Sequence, residues 1–137
     1  MKITRFEDLE CWQEARLLTK MVYDTIKQNR NFQKDLRLCS QIQSAAGSVM
    51  ANIAEGFVRR SNREFTQFLF IAMSSSAEVQ SHLYIALDQG YIKQEEFSKI
   101  YNQADKTAKL ISGLIKYLKE NEKQWKLNKP KKLDKLE

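Results

Sequence analysis

The sequence predicts an all-α fold, an antiparallel up-down-up-down four-helix bundle. Three observations predict it. Apolar residues recur at spacings of three and four through four long segments. Turn formers are scarce: the 137 residues include 4 Gly and 1 Pro, and Pro130 lies in a lysine-rich tail, so links are few and elements long. No stretch of useful length alternates apolar and polar residues with the period of a strand. Four long helices with short links pack most simply in alternating directions.

The first segment runs from about 6 to 29, with Phe6, Leu9, Trp12, Ala15, Thr19, Val22 and Ile26 on one stripe, and "NRNFQKD" then breaks the pattern. The second runs from about 36 to 60, with Leu38, Ile42, Ala45, Val49 and Ile53 in phase and Phe57 near its end. The third opens on "SNRE", a capping box with Ser61 as N-cap and Glu64 at the third helical position. Phe65, Phe68, Leu69, Ala72, Met73, Val79, Leu83, Ala86 and Leu87 follow, and Gly90 is the expected C-terminal cap. The fourth starts near Gln94 and carries Phe97, Ile100, Tyr101, Ala104, Ala108, Ile111, Leu114, Ile115 and Leu118. Residues 1–120 are thus expected to form one bundle, and 121–137 a basic, frayed tail.

Composition excludes several classes. No run of about 18 apolar residues predicts a membrane span, and "MKITRFEDLECW" has no signal-type apolar stretch, so the expected location is the cytoplasm. Cys11 and Cys39 lack CxxC spacing and read as two core-facing thiols. A P-loop and GxGxxG are absent. The single His82 has Val79, not Glu, three residues before it, so the Glu-x-x-His of di-iron bundles is missing. Glu78 and His82 instead form an i,i+4 pair on a helix surface or interface. No catalytic residue, metal site or cofactor is expected.

The third helix has an apolar surplus. Phe70, Ile71, Ala77, Tyr84 and Ile85 lie off its main stripe, and a helix apolar on two faces needs cover on both. Phe70, Ile71, Tyr84 and Ile85 are therefore the expected contact with another copy of the chain. The small run "SSSA" at 74–77 would let a further helix approach.

Net charge is +6, from 23 Lys and Arg against 17 Asp and Glu. An up-down-up-down path would bring three basic places to one end. They are Lys2 with Arg5, then Arg59, Arg60 and Arg63, then Lys116, Lys119, Lys123, Lys126 and the lysines beyond. A one-sided basic surface suits a phosphate backbone, and Tyr117 and Trp125 are placed to stack on unpaired bases. The competing reading is that terminal lysines serve solubility and the helix dipole.

The stretch "SVMANIAEGFVRR" puts polar Ser48, Asn52 and Glu55 among small and apolar residues. Asn52 is expected to hydrogen-bond across to another helix, and Glu55 to pair with Arg59 at i,i+4. The three are expected to form a structural polar network that fixes helix register. Ala45, Ala46, Gly47, Ala51, Ala54 and Gly56 keep this helix slim.

"FEDLECWQEAR", the continuous "QIQSAAGSVMANIAEGFVRRSNREFTQFLFIAMSSSAEVQSHLYIALDQGYI" and "LISGLIKYL" together resemble the bacterial four-helix-bundle proteins encoded by intervening sequences in 23S rRNA genes. The accessory variability determinants of diversity-generating retroelements are similar. The resemblance covers about 6 to 118. It implies a left-handed bundle, a homopentameric ring, a basic nucleic-acid-binding surface and, in some relatives, a reverse transcriptase partner. Asn52, Glu55 and Gly56 fall at the motif centre, and Arg59 and Arg60 on its basic continuation. Met50 stands where the family usually has Pro, and Lys93 where it often has a Ser or Thr cap. The expected function is a non-enzymatic oligomer that binds RNA or DNA through a basic surface; the alternative is a protein–protein interaction scaffold.

Overall fold

The computed structural model describes residues 3–120. Phe6–Asp8 form a 3-10 turn, and five α-helices follow: α1 (Glu10–Gln28), α2 (Arg30–Lys34), α3 (Leu36–Phe57), α4 (Asn62–Asp88) and α5 (Gln94–Glu120). Among the described residues there is no strand.

Three boundaries differ from the expected ones, one of them the end of the second long helix, which stops at Phe57 rather than near 60. The first helix begins at Glu10 because Leu9 is extended (φ −74°, ψ 126°). Phe6 still packs on Trp12, ring centroids 5.2 Å apart, and Leu9 is still buried, so the apolar spacing survives a break in the helix. The break read at "NRNFQKD" contains the short α2, whose one buried residue is Phe32. A single apolar side chain carries no period, so periodicity missed it.

Local chemistry explains the other ends. The Asp35 carboxylate accepts the Leu38 N–H at 3.0 Å and caps α3. Ser61 Oγ accepts the Glu64 N–H at 3.2 Å and caps α4. Gly90 turns the chain at φ +74°. The Tyr91 N–H then reaches the Ala86 carbonyl at 2.9 Å and the Gly90 N–H the Leu87 carbonyl at 3.0 Å, the paired bonds of a Schellman ending. At the start of α5 no Ser or Thr is needed: Glu96 reaches back, and its Oε1 accepts the Lys93 N–H at 3.2 Å. α3 runs through Met50 as one element.

Each long helix packs chiefly on two others: α1 on α3 and α5, and α4 on α3 and α5. Contacts run in opposite order along α1 and α5, along α3 and α4, and along α4 and α5. Gln103 bonds to Glu14, and Glu96 to Thr25. Ser48 meets Ser75, and the Cβ position of Gly56 faces Phe65 and Phe68. Ser76 bonds to the Ala104 carbonyl, while Lys119 lies over Phe70. The shared core includes Leu18, Ile42, Ile53, Leu69, Leu83, Ile111 and Leu118.

Gly56 fixes how near α3 and α4 lie. A Cβ there would stand 2.7 Å from Phe68 Cβ and 3.0 Å from Phe65 Cδ1. The first contact is with the root of a side chain, which cannot swing aside.

Candidate nucleic-acid interface

The helix order gathers three chain segments at one end. Arg5, Phe6 and Glu7 share a cleft of about 290 Å³ with Phe57 and Val58. The link after Phe57 carries Arg59 and Arg60 into the first turn of α4. That turn meets the finish of α5 around a second cavity of about 310 Å³, lined by Asn62, Arg63, Thr66 and Phe70 on one side and Leu118 and Lys119 on the other.

The cations there are not equivalent. Arg59 Nη2 donates to Glu55 Oε1 at 2.8 Å, and its guanidinium lies 4.7 Å from the Phe68 ring centroid. Arg5 pairs with Glu7 at 3.1 Å, and Lys116 with Glu120 at 4.0 Å. Arg60 is exposed. Arg63 and Lys119 line one cavity, and among the described residues neither has a carboxylate partner. The Lys119 ammonium sits 5.2 Å over the Phe70 ring. Lys2, Lys123, Lys126 and Trp125 lie outside the described residues, and Tyr117 is half-buried. Acids accompany cations more closely here than a count of basic residues suggests. Half of the sequence excess lies in 121–137, with six Lys against three acidic residues.

A family model described as 23S rRNA-intervening sequence protein matches residues 7–113. The chain belongs to that family. It is also similar to a solved structure, a protein of unknown function from the S23 ribosomal protein family of Bacteroides thetaiotaomicron VPI-5482. The identity is 25%, the TM-score is 0.72, and the match covers 77% of this chain and 98% of that one. No curated protein matches.

In this family member the polar residues of α3 divide into two sets. Asn52 Nδ2 donates to the Ser48 carbonyl at 2.8 Å and to Ser48 Oγ at 2.9 Å. Ser48, not Asn52, makes the bond across, to Ser75 Oγ of α4 at 2.9 Å. Glu55 stands outside this network: it is exposed, and its carboxylate accepts from Arg59. Its partner Arg59 is one turn away on the same helix, so the pair closes within α3. Ser75 was the partner that sequence alone missed. Ser75 and Ser76 are buried against α3 and α5, so half of "SSSA" serves packing within the chain.

The four apolar residues expected at a subunit contact are exposed: Phe70 47%, Ile71 48%, Tyr84 50% and Ile85 43%. Two also have work within the chain. Phe70 lines the cavity under Lys119, and Tyr84 packs on Phe97 with centroids 4.8 Å apart. His82 Nε2 lies 3.4 Å from Glu78, and its Nδ1 is buried without a partner among the described residues.

Burial pushes the Cys11 thiol up to about 12, so it is no nucleophile at neutral pH. Among the described residues no group of three His, Cys, Asp or Glu is placed to hold a metal, and no helix is long and apolar enough to cross a membrane.

Proposed function

We propose that this protein is a non-catalytic, cytoplasmic, antiparallel up-down-up-down bundle that binds RNA or DNA at the end carrying Arg59, Arg60, Arg63, Lys116 and Lys119. One observation carries the reading: Arg63 and Lys119, without carboxylate partners among the described residues, face one cavity beside the Arg59–Arg60 link. Two such cations, Arg63 in the first turn of α4 and Lys119 across the cavity from it, attract phosphate. Salt-dependent gel shifts test it. The logarithm of the binding constant is expected to fall with the logarithm of salt, at a slope of about −0.7 to −0.9 per phosphate neutralised. Replacing Arg59, Arg60 and Arg63 with Glu should abolish the shift; no binding at low salt, or binding unchanged in that variant, removes the proposal.

The exposed apolar face of α4 supports self-association through Phe70, Ile71, Tyr84 and Ile85. We propose a pentamer, the stoichiometry that the resemblance in the "NIAEG" region implies. Light scattering that returns a monomer mass at micromolar concentration would refute this part. The same face supports a second reading, in which it receives a protein partner such as a reverse transcriptase. Capture of one defined protein after nuclease treatment, by wild type and not by Ile71→Ser, would favour it.

A further inference from the structure

We propose that the cavity between the first turn of α4 and the end of α5 is a socket for one phosphate group. This rests on the nucleic-acid reading of that end, and narrows it from a basic surface to one built site.

Asn62 carries the inference. It is the first residue of α4 and is 5% exposed, yet its Nδ2 has no hydrogen-bond acceptor among the described residues. The fold does not need an amide at this point, because Ser61 already caps the helix by accepting the Glu64 N–H. A buried donor left unmatched is costly, and Asn62 lines the cavity. An acceptor brought in from outside would complete it.

The rest of the lining points to a negatively charged acceptor. Arg63 and Lys119 flank the cavity, and Thr66 and Gln67 add a hydroxyl and an amide. None of the lining residues is acidic. The first turn of a helix leaves N–H groups unpaired and carries partial positive charge, which favours phosphate there. Phe70 holds the Lys119 ammonium at 5.2 Å from its ring centroid, so the cation is positioned before any ligand arrives. The volume, about 310 Å³, exceeds that of a phosphate alone, and Phe70 with Leu118 gives an apolar wall for whatever the phosphate is attached to. The shared chemistry is therefore a phosphate group, free or as part of a nucleic-acid strand.

Amide NMR on the full chain tests the socket. Inorganic phosphate should shift the Asn62 side-chain amide and the backbone amides of Asn62 and Arg63 saturably. Asn62→Asp puts a carboxylate at a position where the helix dipole tolerates one, so it should weaken phosphate binding roughly tenfold or more while the chain stays folded. Lys119→Gln changes an exposed side chain, and should weaken it about three- to tenfold without risk to the core. Saturable shifts that both variants reduce support the socket. Their absence in wild type overturns it, as does a wild-type phosphate affinity in folded Asn62→Asp or in Lys119→Gln.

Oligonucleotides identify the source of the phosphate. Stronger binding of a 5′-phosphorylated single strand than of its 5′-hydroxyl twin marks a terminal phosphate. Equal competition by both marks a backbone phosphate, and competition by neither marks a free phosphate ester. Failure of the socket is distinguishable from failure of the wider reading. If only the socket fails, Asn62→Asp binds strands like wild type while the triple arginine variant does not. If only nucleic-acid binding fails, phosphate still shifts Asn62 and no strand binds.

Discussion

Where α1 finishes beside the start of α5, the Glu96 carboxylate accepts from Thr25 Oγ1 at 2.8 Å, Asn29 Nδ2 at 3.1 Å and the Lys93 N–H at 3.2 Å. Nearby, Gln33 donates to the Ile26 and Lys27 carbonyls, and Tyr91 to Asp35 at 2.9 Å. At the opposite end, Asn62 Nδ2 and Arg59 Nε are buried without partners among the described residues, and Arg63 and Lys119 have no carboxylate. Both ends contain similar residue types, but the first uses its polar groups to tie helices together. The second holds donors and positive charge around a cavity. Satisfied polar groups fix a structure, whereas an unsatisfied donor on a residue that lines a cavity, as Asn62 does, is left for a ligand.

The widest separation between the two ends should be in binding. Arg63→Glu combined with Lys119→Glu is expected to reduce nucleic-acid affinity by roughly a hundredfold at low salt, since each removes a charged contact and adds a repulsive one. The same reversal at Arg30 and Arg37, at the closed end, should change it by less than about threefold. Fluorescence anisotropy on a labelled strand reads both. Equal losses would mean that net charge alone drives binding and that the ends do not differ.

Stability should separate them in the opposite sense. Glu96→Ala leaves buried Thr25 and the Asn29 amide short of an acceptor, and should cost roughly 2 kcal/mol. Asn62→Ala removes a donor that has no acceptor, and should cost less than about 0.5 kcal/mol. Urea unfolding midpoints measure both. A large loss from Asn62→Ala would show that the amide is satisfied within the fold.

The outline of this difference was legible in the sequence, and its detail was not. Burial requires one apolar face per helix, so spacing alone located four long helices, and the Ser61 and Gly90 ends follow from local chemistry. The pairing of Glu55 with Arg59 was readable because i,i+4 contacts stay within one helix. Asn62 was not readable: beside Ser61 it looks like any helix-start residue, and only the approach of α5 forms a cavity over it. Ser75 was hidden for the same reason, since its partner Ser48 is 27 positions away. Basic residues were countable, but which of them keep an acid beside them depends on geometry.

Open in its polar groups, the end with the cavity is still tightly packed, and Gly56 tests that distinction. Gly56→Ala must force Phe68 and Phe65 away, at an expected cost of about 1–3 kcal/mol. Gly113, also helical, has nothing within 4 Å of its Cβ position, so Gly113→Ala should stabilise by about 0.5–1 kcal/mol. Thermal unfolding compares the pair. A neutral Gly56→Ala would mean that α3 and α4 separate easily at this end, and that the cavity is a consequence of loose packing.

The smallest expected contrast is in acid. Burial alone would raise the Glu96 carboxyl, but the hydrogen bonds from Asn29, Thr25 and the Lys93 N–H outweigh it and hold its pKa below the ordinary value of 4.5. The unfolded chain therefore takes up this proton first as pH falls. The stabilisation is present in full above about pH 4.5 and is lost as pH drops through the lower folded value. Glu96→Gln keeps one oxygen acceptor and removes the titration. Its unfolding midpoint should be lower than that of wild type at neutral pH, and the two should converge as pH falls below 4.5 and through the lower folded value. Asn62→Ala should follow the wild-type acid slope throughout, because the open end contributes no such carboxylate tie. Parallel profiles for wild type and Glu96→Gln would show that the Glu96 bonds are formed without a preference for the charged carboxylate, and the contrast between the ends would then rest on packing alone.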